Sequence, residues 1–234
     1  MSVEFSNPAP ASAPAPAPLR IAALASGRGS NLQALIDAIA AGTLNARLVG
    51  VFSDRADAAA LERAHTAGVP CAAENPKAFA SRDAYDQALF AHVDAVQPDL
   101  VVCAGYMRLI GAAAVDARPG LLINIHPSLL PRFKGLHTHR RALEEGATEH
   151  GASVHYVTAD LDGGPVIAQA RVPVLPGDDE AGLAARVLER EHPLLVETVR
   201  WIANGRIQLK EHSVHADGAR LQAPLQLGSN NHFA

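Results

Sequence analysis

From residue 20 onward the chain alternates between two hydrophobic periods. Short runs that are apolar at nearly every position come first: Ile21-Ala22-Ala23-Leu24-Ala25, then Leu48-Val49-Gly50-Val51-Phe52, then stretches at 69–72, 99–104 and 121–125. Between them lie stretches where apolar residues recur every third or fourth position. Leu32, Leu35, Ile36 and Ile39 form one such stripe, and Tyr85, Leu89, Val93 and Val96 form another within 82–96. A run without alternation reads as a strand buried on both faces, and a stripe with a 3.6-residue period reads as an amphipathic helix. Residues 57–67 are also expected to be helical, as is the stretch after Gly105, where Met107 and Leu109 would face the core.

After His155 the pattern changes. Residues 153–157 and 166–170 read as strands joined by the turn-rich Asp160-Leu161-Asp162-Gly163-Gly164-Pro165, a spacing that suits an antiparallel extension. A long helix is expected from just after Gly177, capped by Asp178 and running to about Ile202, with a kink at Pro193. A last hairpin is expected at 206–215 and a loose tail after 220. Strands alternating with helices predict an α/β fold: a Rossmann-like, mostly parallel sheet with helices on both faces and an antiparallel extension in the C-terminal half. Residues 1–18 hold the Ala-Pro tract NPAPASAPAPAP, which has too little to bury and is expected to be a disordered leader. Residues 19–234 are then one domain.

Composition narrows the functional classes. The net charge of −4 over 234 residues argues against a general nucleic-acid grip, which needs clustered Lys and Arg. No apolar run reaches the ~18–20 residues of a membrane span, and the N-terminus lacks a secretory pattern, so a cytoplasmic location is expected. Two cysteines do not make a disulfide framework, and Cys103 reads as a core thiol within its strand.

Candidate chemistry gathers in GLLINIHPSLLPRFKGLHTH, residues 120–139. The strand pattern of Leu121-Leu122-Ile123 stops at Asn124. Side chains alternate along a strand, so Asn124 and His126 share a face. An amide donor beside an imidazole suits a carbonyl whose oxygen becomes negative during attack. Taken alone, Asn-x-His is as readily a turn-forming pair. A carboxylate near that histidine would favour its charged form, and Asp160 and Asp162 are both candidates. Between the first strand and first helix, Gly27-Arg28-Gly29-Ser30-Asn31 is either a plain tight turn or a small phosphate site at a helix N-terminus. It is neither a full dinucleotide fingerprint nor a P-loop. His137-Thr138-His139 with His126 is a weak metal pattern, and no metal is expected.

The combination of Asn124-Ile125-His126-Pro127, Gly135-Leu136-His137-Thr138-His139 and Leu161-Asp162-Gly163-Gly164-Pro165 resembles the folate-dependent formyltransferases, over about Arg20 to Arg206. That resemblance implies Asn124, His126 and Asp162 as the catalytic set. It implies Gly29, Ser30 and Asn31 as holders of a substrate phosphate and Glu191 as a substrate-contacting acid. Met107, Arg108, Leu109 and Ile110 would line the pterin pocket, with Asn124 reaching the donor and Arg82 near its glutamate tail. The implied reaction moves a formyl group from 10-formyltetrahydrofolate to the amine of 5-phosphoribosylglycinamide. The implied partners are these small molecules, with no nucleic acid and no membrane, and the chain would be a monomer or homodimer. A formyltetrahydrofolate hydrolase would share Asn124, His126 and Asp162 but send water to the carbon. A formyltransferase acting on tRNA would want a basic face, which the charge balance disfavours. A non-catalytic nucleotide-binding module would leave the three residues without a task.

Overall fold

A computed structural model describes residues 17–233, so the expected leader lies outside the described residues except for Ala17 and Pro18. Strands β1 (Leu19–Leu24), β2 (Ala46–Ser53), β3 (Cys71–Ala73), β4 (Leu100–Cys103) and β5 (Leu122–His126) alternate with helices α1 (Ser30–Ala40), α2 (Ala59–Thr66), α3 (Arg82–Ala95) and α4 (Ala112–Asp116). The five strands run parallel in the order β3-β2-β1-β4-β5. Beyond β5, strands β6 (Glu149–Tyr156) and β7 (Val166–Pro173) add antiparallel. Helix α5 (Thr138–Glu144) precedes β6, and α6 (Glu180–Ala203) follows β7. Strands β8 (Ile207–Lys210), β9 (Ser213–Ala216) and β10 (Ala219–Arg220) form a separate small sheet.

The unalternating apolar runs become the central strands because both faces of the sheet are covered. One face carries Ile21, Ala23, Val102, Ile123 and Ile125 against Leu32 and Leu35 of α1 and Leu183, Val187 and Leu194 of α6. The other carries Ala22, Leu24, Val101 and Leu122 against Tyr85, Leu89, Phe90 and Val93 of α3. The chain order reverses direction across the sheet between β1 and β4. Ligands of such sheets settle at the carboxyl ends of the strands beside that reversal.

Four expectations need correction. Residues 105–111 are irregular, and the helix after β4 starts only at Ala112. Met107 and Leu109 are 66% and 44% exposed, not core. Tertiary bonds hold this loop out of helix, among them Met107 N–H donating to Ser26 Oγ at 2.9 Å and Gly111 N–H donating to Asp86 Oδ2 at 2.7 Å. The cap of α6 is Asp179, which accepts from Gly182 N–H, whereas Asp178 is drawn into a two-pronged bond with Arg186. As expected, α6 runs through Pro193, and it ends at Ala203.

The tail after 220 is not loose. Its strand β11 (Leu225–Gln226) pairs parallel with β7. Arg190 donates to the carbonyls of Leu227 and Gly228 and to Asn231, and Phe233 N–H donates to buried Glu197. These partners lie far apart in sequence, so local periodicity carries no trace of them.

Candidate active site

Strand β5 ends with Ile123 and Ile125 buried on one side and Asn124 and His126 on the other. The alternation of a strand alone places the amide and the imidazole side by side. Antiparallel β6 sets Ser153 opposite His126 and His155 opposite Asn124. His155 Nδ1 donates to the Tyr156 carbonyl at 2.9 Å, which leaves Nε2 to accept from Asn124 Nδ2 at 3.1 Å. One N–H of Asn124 is thereby fixed, and its second N–H and its oxygen remain for a ligand. Ser153 Oγ donates to the Ser128 carbonyl and accepts from Leu130 N–H, holding the loop that follows His126. The sequence pattern alone does not single out His155 or Ser153, because their role depends on the β5–β6 register.

His126 Nε2 lies 3.0 Å from the Phe133 carbonyl. A carbonyl only accepts, so Nε2 carries the proton, and in a neutral ring Nδ1 keeps a free lone pair. Nδ1 is 3.5 Å from Asp162 Oδ2, with both side chains about a tenth exposed or less, at 8% and 10%. The two groups that hold the ring, Phe133 and Asp162, both sit at positive φ, 55° and 44°. Such backbone is uncommon outside glycine and concentrates at functional sites.

Asp162 also accepts from Gly135 N–H at 2.8 Å, and its other oxygen lies 3.7 Å from His155 Nε2. The turn that aims it needs Gly164, where a Cβ would meet the Tyr156 carbonyl oxygen at 1.8 Å. Burial works against the charge on Asp162, but His155, the Gly135 amide and the His126 ring outweigh it and hold the carboxyl down at about 2. For His126 burial comes first and lowers its pKa below the usual imidazole value, although the Phe133 carbonyl and Asp162 both pull upward. The expected direction of the carboxylate's effect is therefore present, but it does not by itself make an imidazolium in the free protein. The resting ring is neutral at pH 7.

These groups open onto a cleft of about 580 Å³, a size suited to a small organic ligand. Asn31, Met107, Arg108, Leu109, Ile110, Asn124, His126, Asp162 and Glu191 all line it. Met107, Leu109, Leu136 and Leu161 are exposed there, giving the mouth an apolar wall. At the other end Asn31 Nδ2 donates to buried Glu191 Oε2 at 2.8 Å, and Asn31 Oδ1 is buried with no protein partner. Burial raises the Glu191 carboxyl above its ordinary value, against Asn31 and Arg28. Gly29 is the N-cap of α1 at φ 71°, and no side chain caps the helix, so Ser30 begins it rather than capping it. Gly29 and Ser30 adjoin Asn31 but do not line the cleft, and Arg82 stands exposed at the start of α3, off the cleft wall. Cys103 touches the cleft, yet burial pushes its thiol up to about 12, which keeps it protonated. Among the described residues no three His, Cys, Asp or Glu side chains are arranged to hold a metal ion.

An amide, an imidazole and a carboxylate thus gather at the end of a covered parallel sheet, and sequence comparison shows the class of protein that carries them. The formyl transferase family model matches residues 19–199, and the chain belongs to that family. Among its relatives, phosphoribosylglycinamide formyltransferase of Escherichia coli is 50% identical over 203 residues, covering 87% of this chain and 96% of the relative. The human trifunctional purine biosynthetic protein adenosine-3 is 41% identical over 193 residues, covering 82% of this chain and 19% of that longer protein. The solved phosphoribosylglycinamide formyltransferase of Coxiella burnetii superimposes with a TM-score of 0.84 at 46% identity, over 87% of this chain and 96% of its own. A formyltetrahydrofolate deformylase from Pseudomonas syringae, 24% identical with a TM-score of 0.78, shares the fold.

Proposed function

We propose that the chain transfers the formyl group of 10-formyltetrahydrofolate to the amine of 5-phosphoribosylglycinamide, a step of purine synthesis. The observation that carries this reading is the convergence of Asn124, His126 and Asp162 on one cleft in a chain half identical to a phosphoribosylglycinamide formyltransferase.

The apolar wall of Met107, Leu109, Leu136 and Leu161 fits a flat folate ring system, and the 105–111 backbone offers it hydrogen-bonding groups. The free N–H groups at the N-terminus of α1, which adjoin the cleft, suit the acceptor's phosphate, and the unpartnered Asn31 oxygen suits a hydroxyl or amide N–H of its polar end. Glu191 is placed to accept hydroxyl hydrogens there. When bound, the folate supplies the formyl carbon. Asn124 donates its free N–H to the oxygen that gains charge as the acceptor amine attacks. Neutral His126 takes the proton that the attacking nitrogen must lose, at Nδ1, and becomes an imidazolium held between the Phe133 carbonyl and Asp162. That imidazolium supports the oxyanion and then returns its proton to the departing folate nitrogen. The chain itself forms no covalent bond to the formyl group in this sequence.

The test is absorbance-monitored loss of 10-formyltetrahydrofolate with and without 5-phosphoribosylglycinamide. Turnover that needs the acceptor supports the reading. Equal turnover without it makes the chain a hydrolase.

A further inference from the structure

The two substrates of the proposed reaction meet the protein on different loops. The glycine-rich turn after β1 leads into α1 and the acceptor end of the cleft, and the 105–111 loop after β4 forms the donor end. Because β1 and β4 are sheet neighbours, these loops leave the sheet side by side. One residue ties them together. Ser26 N–H donates to the Gly105 carbonyl at 3.0 Å, and Ser26 Oγ accepts from Met107 N–H at 2.9 Å. Ser26 is 4% exposed, so neither bond is readily replaced by water.

The neighbouring bonds explain why this clamp transmits position. Gly27 accepts from Ala60 N–H, and Ala25 N–H donates to Phe52, so the acceptor turn is fixed to β2 and α2 independently of Ser26. At its far end the donor loop is fixed by Asp86 on α3, through Gly111 N–H. The near end of the donor loop is held by Ser26, by the Tyr106 hydroxyl 2.9 Å from that of Tyr85 on α3, and by Ala104 N–H, which donates to Leu24; among the hydrogen bonds of the described residues only those of Ser26 refer the loop to the acceptor turn.

We propose that Ser26 is a positioning residue that couples the two substrate sites, so that ordering one loop on its ligand preorganises the other. The proposal rests on the formyl-transfer reading above. Coupling of this kind is reciprocal: each ligand tightens the other by the same factor, commonly about 5–150-fold for linked sites. It also bears on the chemistry, because a misplacement of about 1 Å between reacting groups costs on the order of 10² in rate.

The experiment is calorimetric titration of the full chain with tetrahydrofolate, alone and with saturating 5-phosphoribosylglycinamide, a pair that cannot react. Wild type is expected to bind tetrahydrofolate at least about fivefold tighter when the acceptor is present. Ser26→Ala should bring that factor to about 1–2 and lower kcat by about 10–100-fold. Ser26→Cys keeps the shape but offers a weak acceptor, so it should behave like Ser26→Ala even where the alanine variant folds poorly. Ser26→Thr keeps Oγ and should restore the factor. Asp86→Ala removes the acceptor for Gly111 N–H and loosens the other end of the donor loop, so it should weaken tetrahydrofolate binding yet leave the factor unchanged. A wild-type factor of 1, an unchanged factor in folded Ser26→Ala or Ser26→Cys, or an equal loss in Asp86→Ala overturns the proposal. Failure of wild type to bind either ligand instead overturns the formyl-transfer reading itself.

Discussion

Replacing Asp162 with asparagine removes one charge and little else. The side chain keeps its size, and its oxygen can still accept from Gly135 N–H, now 2.8 Å away. What disappears is the attraction between a carboxylate and the imidazolium that forms 3.5 Å away during turnover. At an effective dielectric of about 20, two unit charges at that distance attract by about 5 kcal/mol, an upper limit on what the substitution removes. A positioned proton-transfer system contributes roughly 10²–10⁴ in rate, or about 3–5 kcal/mol, which lies within that limit. Asp162→Asn should therefore slow acceptor-dependent deformylation by about 10²–10⁴. The sign of the pH effect follows from the same geometry. Asp162 raises the pKa of His126, so its loss lets that pKa fall further, and the acid limb of the kcat profile should move to lower pH.

Stability has its own sign. The Asp162 carboxyl is held at about 2, below its ordinary 3.8, so its contribution is complete above pH 3.8 and is lost as pH falls through 2. At pH 7, where the His126 ring is neutral and the bond from Gly135 survives, the variant should lose about 1 kcal/mol or less and remain folded. Initial rates and melting temperatures across pH 5–9, as about the accessible range, provide the check. Near-normal turnover, or a limb that moves to higher pH, would refute the electrostatic role of Asp162.

Three other outcomes are expected. His155→Phe keeps a flat ring in β6 but removes the acceptor for Asn124 Nδ2, so kcat should fall about tenfold or more while both KM values hold within about twofold; steady-state kinetics read this split. Glu191→Gln should raise the acceptor KM about tenfold and leave the donor KM nearly unchanged, as measured by varying each substrate in turn. His150 is fully buried beside His139, and burial with that neighbour depresses its pKa to about 4. Its contribution is present above pH 6.5 and lost as pH falls through 4, so His150→Gln should flatten the denaturation midpoint's pH dependence in that window by roughly 3 kcal/mol.

The sequence carries the parts of the fold that depend on local period. The parallel strands are legible because both faces are covered, and the shared face of Asn124 and His126 follows from strand alternation. The two wings of the site were less accessible. The 105–111 loop reads as a helix because Met107 and Leu109 look like core residues, whereas bonds to Ser26 and Asp86 hold it open. His155 and Ser153 gain their roles from pairing with β5, a register that no local pattern encodes. The balance at His126 is only half legible for a related reason: a carboxylate partner is visible in sequence, but the burial that outweighs it is not. The C-terminal tail, polar and short, binds through Arg190 and Glu197 on a helix that precedes it by some thirty residues or more. At Gly29 any side chain would meet Ala60 at 2.8 Å, a close approach to α2 that the glycine-rich pattern alone does not reveal.

The central claim is that the cleft delivers a formyl group to an amine and not to water. Its most direct test follows the carbon itself. 10-Formyltetrahydrofolate labelled with ¹³C in the formyl group is incubated with the protein and 5-phosphoribosylglycinamide, and the label is followed by NMR. The account predicts that the signal moves to an amide on the acceptor, with little free formate, and that Asn124→Ala or His126→Ala slows this transfer by orders of magnitude. Label recovered as formate at the same rate with or without the acceptor would contradict it.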